Sequence, residues 1–417
     1  MRKNLFTLAV VALLPVAALG AGYSVPNLNP ADLAMAGSRV AAQDSAAAVF
    51  ANPAALARLQ GLNLSLAGAM VDFRSAWTDP TGTQTPSTSE GLTKLVFAPA
   101  VYASYGFRLP NDMAAAVGAG FTVPYGGNVF WPDTWPGRFD IDSVERRIYG
   151  TYLTAALEPF RWLRLGGGLI WYRGTESFLK GMNYIGSEGT AQIATSGDAL
   201  SYDLSAEIQP IDRLRVAIDY KHQGVMMLDG HAHFSASPPA LGLVDQSVQH
   251  ELTMPNSLGI GASYQVLPIL LVTGSFTWDR YVVSDKDAFV GSSGSSVVVP
   301  RNYSNGYTYR LGVEGGPING LKVRAGILRD IAPTPAVWMD PSIPDGDVWG
   351  ASIGVAYAIL PNLELNAAYF HAWFDQVQTC RVTAGQCQPN NVFPGIYDSR
   401  ANIASIGVTW NWDGWTR

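Results

Sequence analysis

Charged residues are scarce in this chain. Asp, Glu, Lys and Arg make up 14% of its 417 residues, against roughly a quarter in an average soluble domain. The formal balance of −6 leaves no basic footprint for phosphates, which excludes a nucleic-acid partner. Cysteine is nearly absent: Cys380 and Cys387 are the two, too few for a disulfide scaffold but compatible with an oxidising compartment and one disulfide closing a short loop. Long apolar runs are absent after Gly20, where nothing approaches the ~20 residues that a membrane-crossing helix needs. No Ser/His/Asp spacing is recognisable and His231 with His233 lacks a third ligand nearby, so neither enzyme nor metal site is expected, and no cofactor.

What is present begins with a leader. Arg2 and Lys3 precede the apolar run Leu5 to Leu19, and Ala18-Leu19-Gly20 offers the small residues at which a signal peptidase cuts. Residues 1–20 therefore read as a signal peptide and the mature chain as starting at Ala21, outside the cytoplasm.

The remainder is apolar on average, 48% hydrophobic with 43 glycines, yet its hydrophobicity comes with period two. Leu200, Tyr202, Leu204, Ala206 and Ile208 alternate with Ser201, Asp203, Ser205, Glu207 and Gln209; Tyr307, Tyr309, Leu311 and Val313 stand against Arg310 and Glu314. Successive strand side chains point to opposite faces, so each segment has one greasy and one polar face. Fourteen such segments can be placed, near 62–74, 93–108, 113–123, 146–157, 163–172, 200–209, 214–222, 250–265, 270–279, 307–315, 321–329, 348–358, 363–374 and 401–412. The connections alternate between short turns carrying Pro110, Pro159, Pro210, Pro268, Pro317 or Pro361 and long polar loops. Loops sorted by length onto two rims, with an even strand count, predict an all-β transmembrane barrel of an outer membrane, short turns periplasmic. A soluble sandwich has no reason to sort its loops.

Fourteen strands enclose more than their own side chains fill. Residues 21–60, ahead of the barrel at 61–417, supply a stopper. Within Gln43 to Leu59 the pattern predicts two short helices, the first capped by Asp44 or Ser45, the second by Asn52 with Pro53 at its first position. Helices so short are marginal alone and need a container.

The stretch LAMAGSRVAAQDSAAAVFANPAAL, with Gly37, Asp44 and Asn52-Pro53-Ala54, resembles the N-terminal hatch of the FadL/TodX-type outer-membrane transporters of long-chain fatty acids and aromatic hydrocarbons. Phe97 to Phe107, Trp135 to Phe139, Leu328 to Pro335 and Ile343 to Tyr357 extend the resemblance over essentially the whole mature chain. It implies passive uptake of a hydrophobic small molecule by a plugged barrel, working as a monomer among the lipids of a Gram-negative outer membrane. A general polar porin is the competing class, which the plug argues against; an outer-membrane lipase is a more distant one.

Site expectations follow. Asp44, Asn52, Pro53 and Ala54 belong to the hatch. The third strand, Met113 to Gly127, is the candidate lateral exit: Gly118 and Gly120 face inward without side chains, Pro124 cannot donate to a ladder, and Met113, Val117, Phe121 and Val123 are assigned to lipid. Small residues there would equally let the plug pack closely. The resemblance places an outer apolar groove on the long loops 173–199 and 223–249, where Phe178, Leu179, Met226, Met227 and Leu228 stand. Gly166-Gly167-Gly168 opens a strand and reads as close packing on the plug. Inward charges such as Asp203, Glu207, Arg215, Asp219, Arg310, Glu314, Lys322, Arg324 and Glu364 either tie the plug to the wall or line a path for a carboxylate head group.

Overall fold

A computed structural model describes residues 22–412 apart from 80–83, 87–95, 111, 185–186, 239–242, 295, 380–381, 384–385 and 388–392. Fourteen antiparallel strands form a closed barrel: β1 Gly61–Thr78, β2 Val96–Arg108, β3 Ala114–Phe130, β4 Ser143–Phe160, β5 Leu163–Tyr184, β6 Ser187–Ile211, β7 Leu214–Lys221, β8 Asn256–Leu267, β9 Leu270–Arg280, β10 Gly306–Ile318, β11 Leu321–Ile331, β12 Val348–Leu360, β13 Leu363–Phe374 and β14 Ile396–Trp412. Closure is made by β1 on β14, in register from Leu62↔Trp412 to Thr78↔Ile396. Except where the register of β2 with β3 stops at Val101↔Phe121, neighbouring strands satisfy each other's backbone groups within lipid.

Parity assigns the faces as the alternation predicts. On β6, Leu200 is 75% exposed and Leu204 57%, whereas Asp203 and Glu207 are wholly buried. The exposed set is the lipid face. Aromatic pairs stack at its short-turn rim, Phe160 on Trp162 and Trp410 on Trp412, where amphipathic rings sit at a membrane interface.

Several expectations need correction. Residues 173–199, expected as a loop, continue β5 and β6 as one long hairpin paired from Leu163↔Ile208 to Tyr184↔Ser187. Likewise 223–249 holds a strand, Gly224–Phe234, paired with Gln246–Met254. These extensions stand beyond the lipid, so they need no greasy outer face and escape a search for alternation. The expected strand 250–265 is broken at Pro255, which carries no amide hydrogen, with β8 starting at Asn256. Val123, assigned to lipid, is 1% exposed. A bulge between Thr122 and Tyr125 inserts one residue opposite β4 and reverses the parity beyond it.

The plug fills the lumen with small apolar residues; Ala34, Ala46, Ala47, Ala48, Val49 and Leu56 are all buried. It holds one helix turn that the pattern misses, Pro30–Leu33, whose first turn is capped by Asn29 accepting from the Ala31 amide. The two expected helices are Ala48–Ala51 and a 3₁₀ turn, Pro53–Arg58. Ser45, one of the two caps expected for the first, accepts from the Ala47 amide at 3.3 Å just ahead of it, whereas Asn52 makes no cap bond to the second. Asp44 instead accepts from Arg39 at 2.6 Å, and the Asn52 amide donates to the carbonyl of Val40 at 2.9 Å. Pro53 does open the second turn.

Candidate functional site

The wall meets the plug through hydroxyls and missing side chains more than through charge. Ser205 accepts from the Ala54 amide at 2.8 Å, Ser263 donates to the Ala41 carbonyl, Ser352 to that of Ala34 and Ser405 to that of Leu28, while Ser38 and Thr273 share a 2.6 Å bond. Serine carries no signal in a sequence, and these contacts escape its reading. A Cβ on Gly166 would lie 2.3 Å from the Ala54 amide nitrogen, and one on Gly326 2.3 Å from the Met35 carbonyl carbon. Those two wall positions touch plug backbone directly and admit nothing larger.

Of the inward charges, Glu207 alone ion-pairs with the plug among the described residues, with Arg58; it also takes Arg164 of β5 at 3.2 Å. Arg324 bonds Glu314 at 2.6 Å and Lys322 bonds Glu364 at 2.9 Å, wall to wall. The ion pairs thus brace the barrel chiefly against itself.

β3 departs from the ladder. Its register with β2 ends at Val101↔Phe121, whereas with β4 it runs to Phe130↔Ser143. Beyond Phe121 the plug's first residues take up its backbone: the Val25 amide donates to the Pro124 carbonyl and the Gly126 amide to the Tyr23 carbonyl, both at 2.9 Å, with Ser24 opposite Tyr125. Pro124 sits in the bulge. Gly118 and Gly120 lie before it, beneath the plug: their Cβ atoms would meet Val49 at 2.6 and 2.9 Å.

Above that segment, toward the long connections, lies a pocket walled by Tyr23, Phe73, Val129, Val144, Ile343 and Phe374, with Asn128, Arg146, Ser342 and Asp345 as its polar lining. Arg146 is buried and ion-paired with Glu176, and its guanidinium lies 4.7 Å over the Tyr23 ring. Asp345, in the connection between β11 and β12, accepts from the amides of Gly22 at 3.1 Å and Gly346 at 2.8 Å and from the Thr334 hydroxyl at 2.8 Å. Burial pushes its carboxyl up to about 7 against those three bonds. A second apolar cluster roofs the pocket: Trp131 stacks on Trp135 at 4.4 Å, with Trp77, Ile141, Met339 and Tyr397 around them.

The residues expected on outer loops divide between faces. Phe178 packs at this roof and edge-on to Phe289 at 5.4 Å. Leu179 is half-buried, and its carbonyl accepts from the Asp142 amide. Met226 and Leu228 are fully buried in the main core beside Gly174, whereas Met227, on the opposite face of the same strand, is exposed. Cys380 and the side chain of Cys387 fall outside the described residues. His231 and His233 are surface groups, and His233 meets Asp245 at 2.6 Å.

The structure is similar to that of a Pseudomonas aeruginosa FadL homologue, with a TM-score of 0.82 and 19% identity over 94% of this chain and 100% of the other. It is also similar to the Pseudomonas putida toluene transporter TodX, with a TM-score of 0.70 and 16% identity over 95% and 99%. The Ralstonia pickettii toluene transporter TbuX follows the same fold, at 0.69 and 18% over 93% and 99%. By sequence, the chain is 24% identical over 452 residues to an outer membrane protein of Neisseria meningitidis serogroup B, covering 95% of each. The model of the outer membrane protein transport family OMPP1/FadL/TodX matches residues 9–412, and the chain, a plugged fourteen-stranded outer-membrane barrel, belongs to that family.

Proposed function

We propose that the chain carries hydrophobic small molecules, long-chain fatty acids or aromatic hydrocarbons, passively inward. The ligand enters beneath the tryptophan roof, rests in the pocket around Tyr23 and Phe374, and leaves sideways at β3 into the bilayer. The carrying observation is the end of the β2–β3 register at Phe121, where plug residues Tyr23–Val25 take over the backbone of β3 around Pro124. A sideways exit is the favourable one for such a cargo, since release into periplasmic water would expose about 0.8 kcal/mol per methylene that the bilayer keeps buried. The strand formed by residues 23–25 is then the latch. It is held on β3 by the two backbone bonds that flank the Ser24–Tyr125 pair, and elsewhere by the Tyr23 hydroxyl on the Thr253 carbonyl and by Ser24 on Tyr281, contacts that a bound ligand has to replace, while the hatch motif Asn52-Pro53-Ala54 stays anchored on β5 and β6. Asp44 ties the hatch internally through Arg39. The protein works as a monomer with the lipids around it as the receiving phase, and no cofactor takes part.

The test is a reversible tether. Ser24 and Tyr125 are bridge partners, a separation that a disulfide spans. In a background carrying Cys380→Ser and Cys387→Ser, Ser24→Cys with Tyr125→Cys should stop uptake of a labelled fatty acid or toluene when oxidised and restore it on reduction. Equal uptake in both states rejects the latch at β3.

A further inference from the structure

The short-turn rim, the periplasmic one in a barrel of this kind, carries its charge unevenly. On the β2–β3 turn Arg108 pairs with Asp112 at 3.0 Å, and the turns at 265–270, 318–321 and 360–363 hold no charged residue. The β4–β5 turn presents Arg161 between Phe160 and Trp162, and the β6–β7 turn presents Arg213 after Ile211 and Asp212, all of them exposed. The two turns are stitched side by side: the Gln209 amide donates to the Trp162 carbonyl at 2.8 Å, and the Gln209 side chain accepts from Arg164 at 3.4 Å and donates to the Asp212 carbonyl at 3.2 Å. Strands about 4.8 Å apart put such turns about 10 Å apart, a gap that two arginine side chains bridge. Behind them Glu158 is held by Arg164 at 2.7 Å, Glu207 by Arg58 and Arg164, and Asp44 by Arg39. Arg161, Arg213 and the inward Arg215 make no ion pair among the described residues, and Asp212 is the one acid at these turns in the same condition. Three cations against one acid leave a surplus of two positive charges. Apolar surface continues from that patch: Phe160 stacks on Trp162 at 5.7 Å, and on the lipid face above the turns Leu165, Ile208 and Leu204 are 45, 39 and 57% exposed.

We propose that this patch binds an anionic phospholipid of the inner leaflet, its phosphate between Arg161 and Arg213 and its acyl chains along Leu165, Ile208 and Leu204. Aromatic rings settle at the depth of the lipid headgroups, so phosphates meet the arginines beside Phe160 and Trp162 at their own level. A guanidinium offers a phosphate two parallel donors. The surplus of positive charge favours a headgroup with a net charge over a zwitterionic one, whose own cation cancels its phosphate. A soluble acidic partner would match the arginines but not the greasy wall that rises from them; a phospholipid matches both in one molecule. The bound lipid stands beside β4, the neighbour of β3, and fixes the depth of the rim in the leaflet. The inference does not depend on what the barrel carries.

The experiment is native mass spectrometry of the detergent-solubilised protein, titrated with dioleoyl phosphatidylglycerol or dioleoyl phosphatidylcholine and read at the first bound lipid. An arginine at an anionic membrane surface adds about 1 kcal/mol, or about fivefold, so wild type should hold phosphatidylglycerol at least about tenfold more tightly than phosphatidylcholine. Arg161→Gln with Arg213→Gln, checked for folding by the heat-modifiable gel shift, should bring the two lipids to within about threefold of each other. Should that pair fail the shift, Arg161→Gln alone takes its place, with an expected loss of about fivefold. Arg74→Gln, half-exposed near the opposite rim, should leave the gap as it is. Equal binding of the two lipids by wild type overturns the inference. So does an unchanged gap in the folded variant, or a gap lost equally in Arg74→Gln, which would spread the preference over the whole surface. Glycerol 3-phosphate, the headgroup without chains, should bind far more weakly than phosphatidylglycerol; equal binding would make the patch a site for soluble anions and overturn its assignment to a lipid.

Discussion

Arg58 of the plug and Glu207 of β6 form an ion pair at the inner wall, with the carboxylate wholly buried. The same carboxylate receives Arg164 at 3.2 Å and the Asn52 amide at 3.4 Å, and Arg58 also donates to the Gln43 carbonyl. One acid thus joins both halves of the hatch to the barrel. Removing it leaves two guanidinium groups near each other without their shared partner.

Glu207→Ala should therefore loosen the plug. Breaking one side of a buried pair costs about 3–5 kcal/mol, and since the barrel ladders do not depend on the pair, the loss should fall on residues 43–60. Hydrogen exchange of those amides is expected to rise by two orders of magnitude or more with β6 and β7 unchanged. Unaltered protection of the plug would place the grip in the serine contacts instead.

Deleting residues 21–60 asks what the plug does for the whole. The barrel closes through β1 and β14 without it, so the variant should insert and show a heat-modifiable gel shift. It should also conduct, because a lumen of fourteen strands is too wide for its own side chains to fill. A steady open state in planar bilayers is the expected record. An inserted variant that stays tight to small polar solutes would remove the plug from its role as a stopper.

Much of this was legible because lipid and lumen impose opposite chemistry on alternate residues. Leu200 to Glu207 show that parity in the sequence and in the wall alike. Legibility ended where that constraint ended. Phe178 and Leu179 lie on strands that rise above the membrane, where no lipid face enforces alternation, and they read as loop. Val123 was misplaced because a single inserted residue at Pro124 reverses parity and leaves no mark in hydrophobicity. Ser205, Ser263, Ser352 and Ser405 hold the plug, yet a serine on an inward face looks the same whether it meets water or a carbonyl. Asp345 is one acid in a long connection, and only the fold brings it to Gly22.

The buried His250 should make the outer face sensitive to alkali. It lies on Gln246–Met254, outside the spanning strands, stacked on Phe289 at 4.4 Å between Glu176 and Asp287. Burial alone would lower its pKa; hydrogen bonds to Asp287 and Glu176 outweigh that and raise it from 6.5 to about 9. A basic group raised on folding contributes stability that is full below its unfolded value and is lost as pH rises through the folded one. The contribution should thus be whole at pH 6, shrink above 6.5 and be gone past about 9. Exchange of residues 246–254 and 286–291, corrected for intrinsic rate, should accelerate between pH 7 and pH 10 in wild type. His250→Gln should show no such step, and a step of equal size in that variant would assign it to another group.

Tryptophan at Gly118 or Gly120 tests the exit from the plug side. A Cβ on Gly118 would lie 2.6 Å from Val49 and 2.9 Å from the Thr154 hydroxyl, and one on Gly120 2.6 Å from the Tyr102 ring. These neighbours are side chains, which can shift, so overpacking should cost about 1–3 kcal/mol. A closed barrel should survive that with its gel shift intact. An indole there would occupy the space between Val49 and β3, just before the bulge at Pro124 where the ligand is proposed to leave. Uptake should fall at least about tenfold if that passage adds the few kcal/mol of such a clash to the barrier. Conductance separates the two ways this can happen: a blocked exit leaves the lumen sealed, whereas a displaced plug leaks. Loss of uptake without leak is the expected result. Wild-type uptake in both variants would rule out a passage along β3, and loss accompanied by leak would mean that these glycines serve only to let the plug pack.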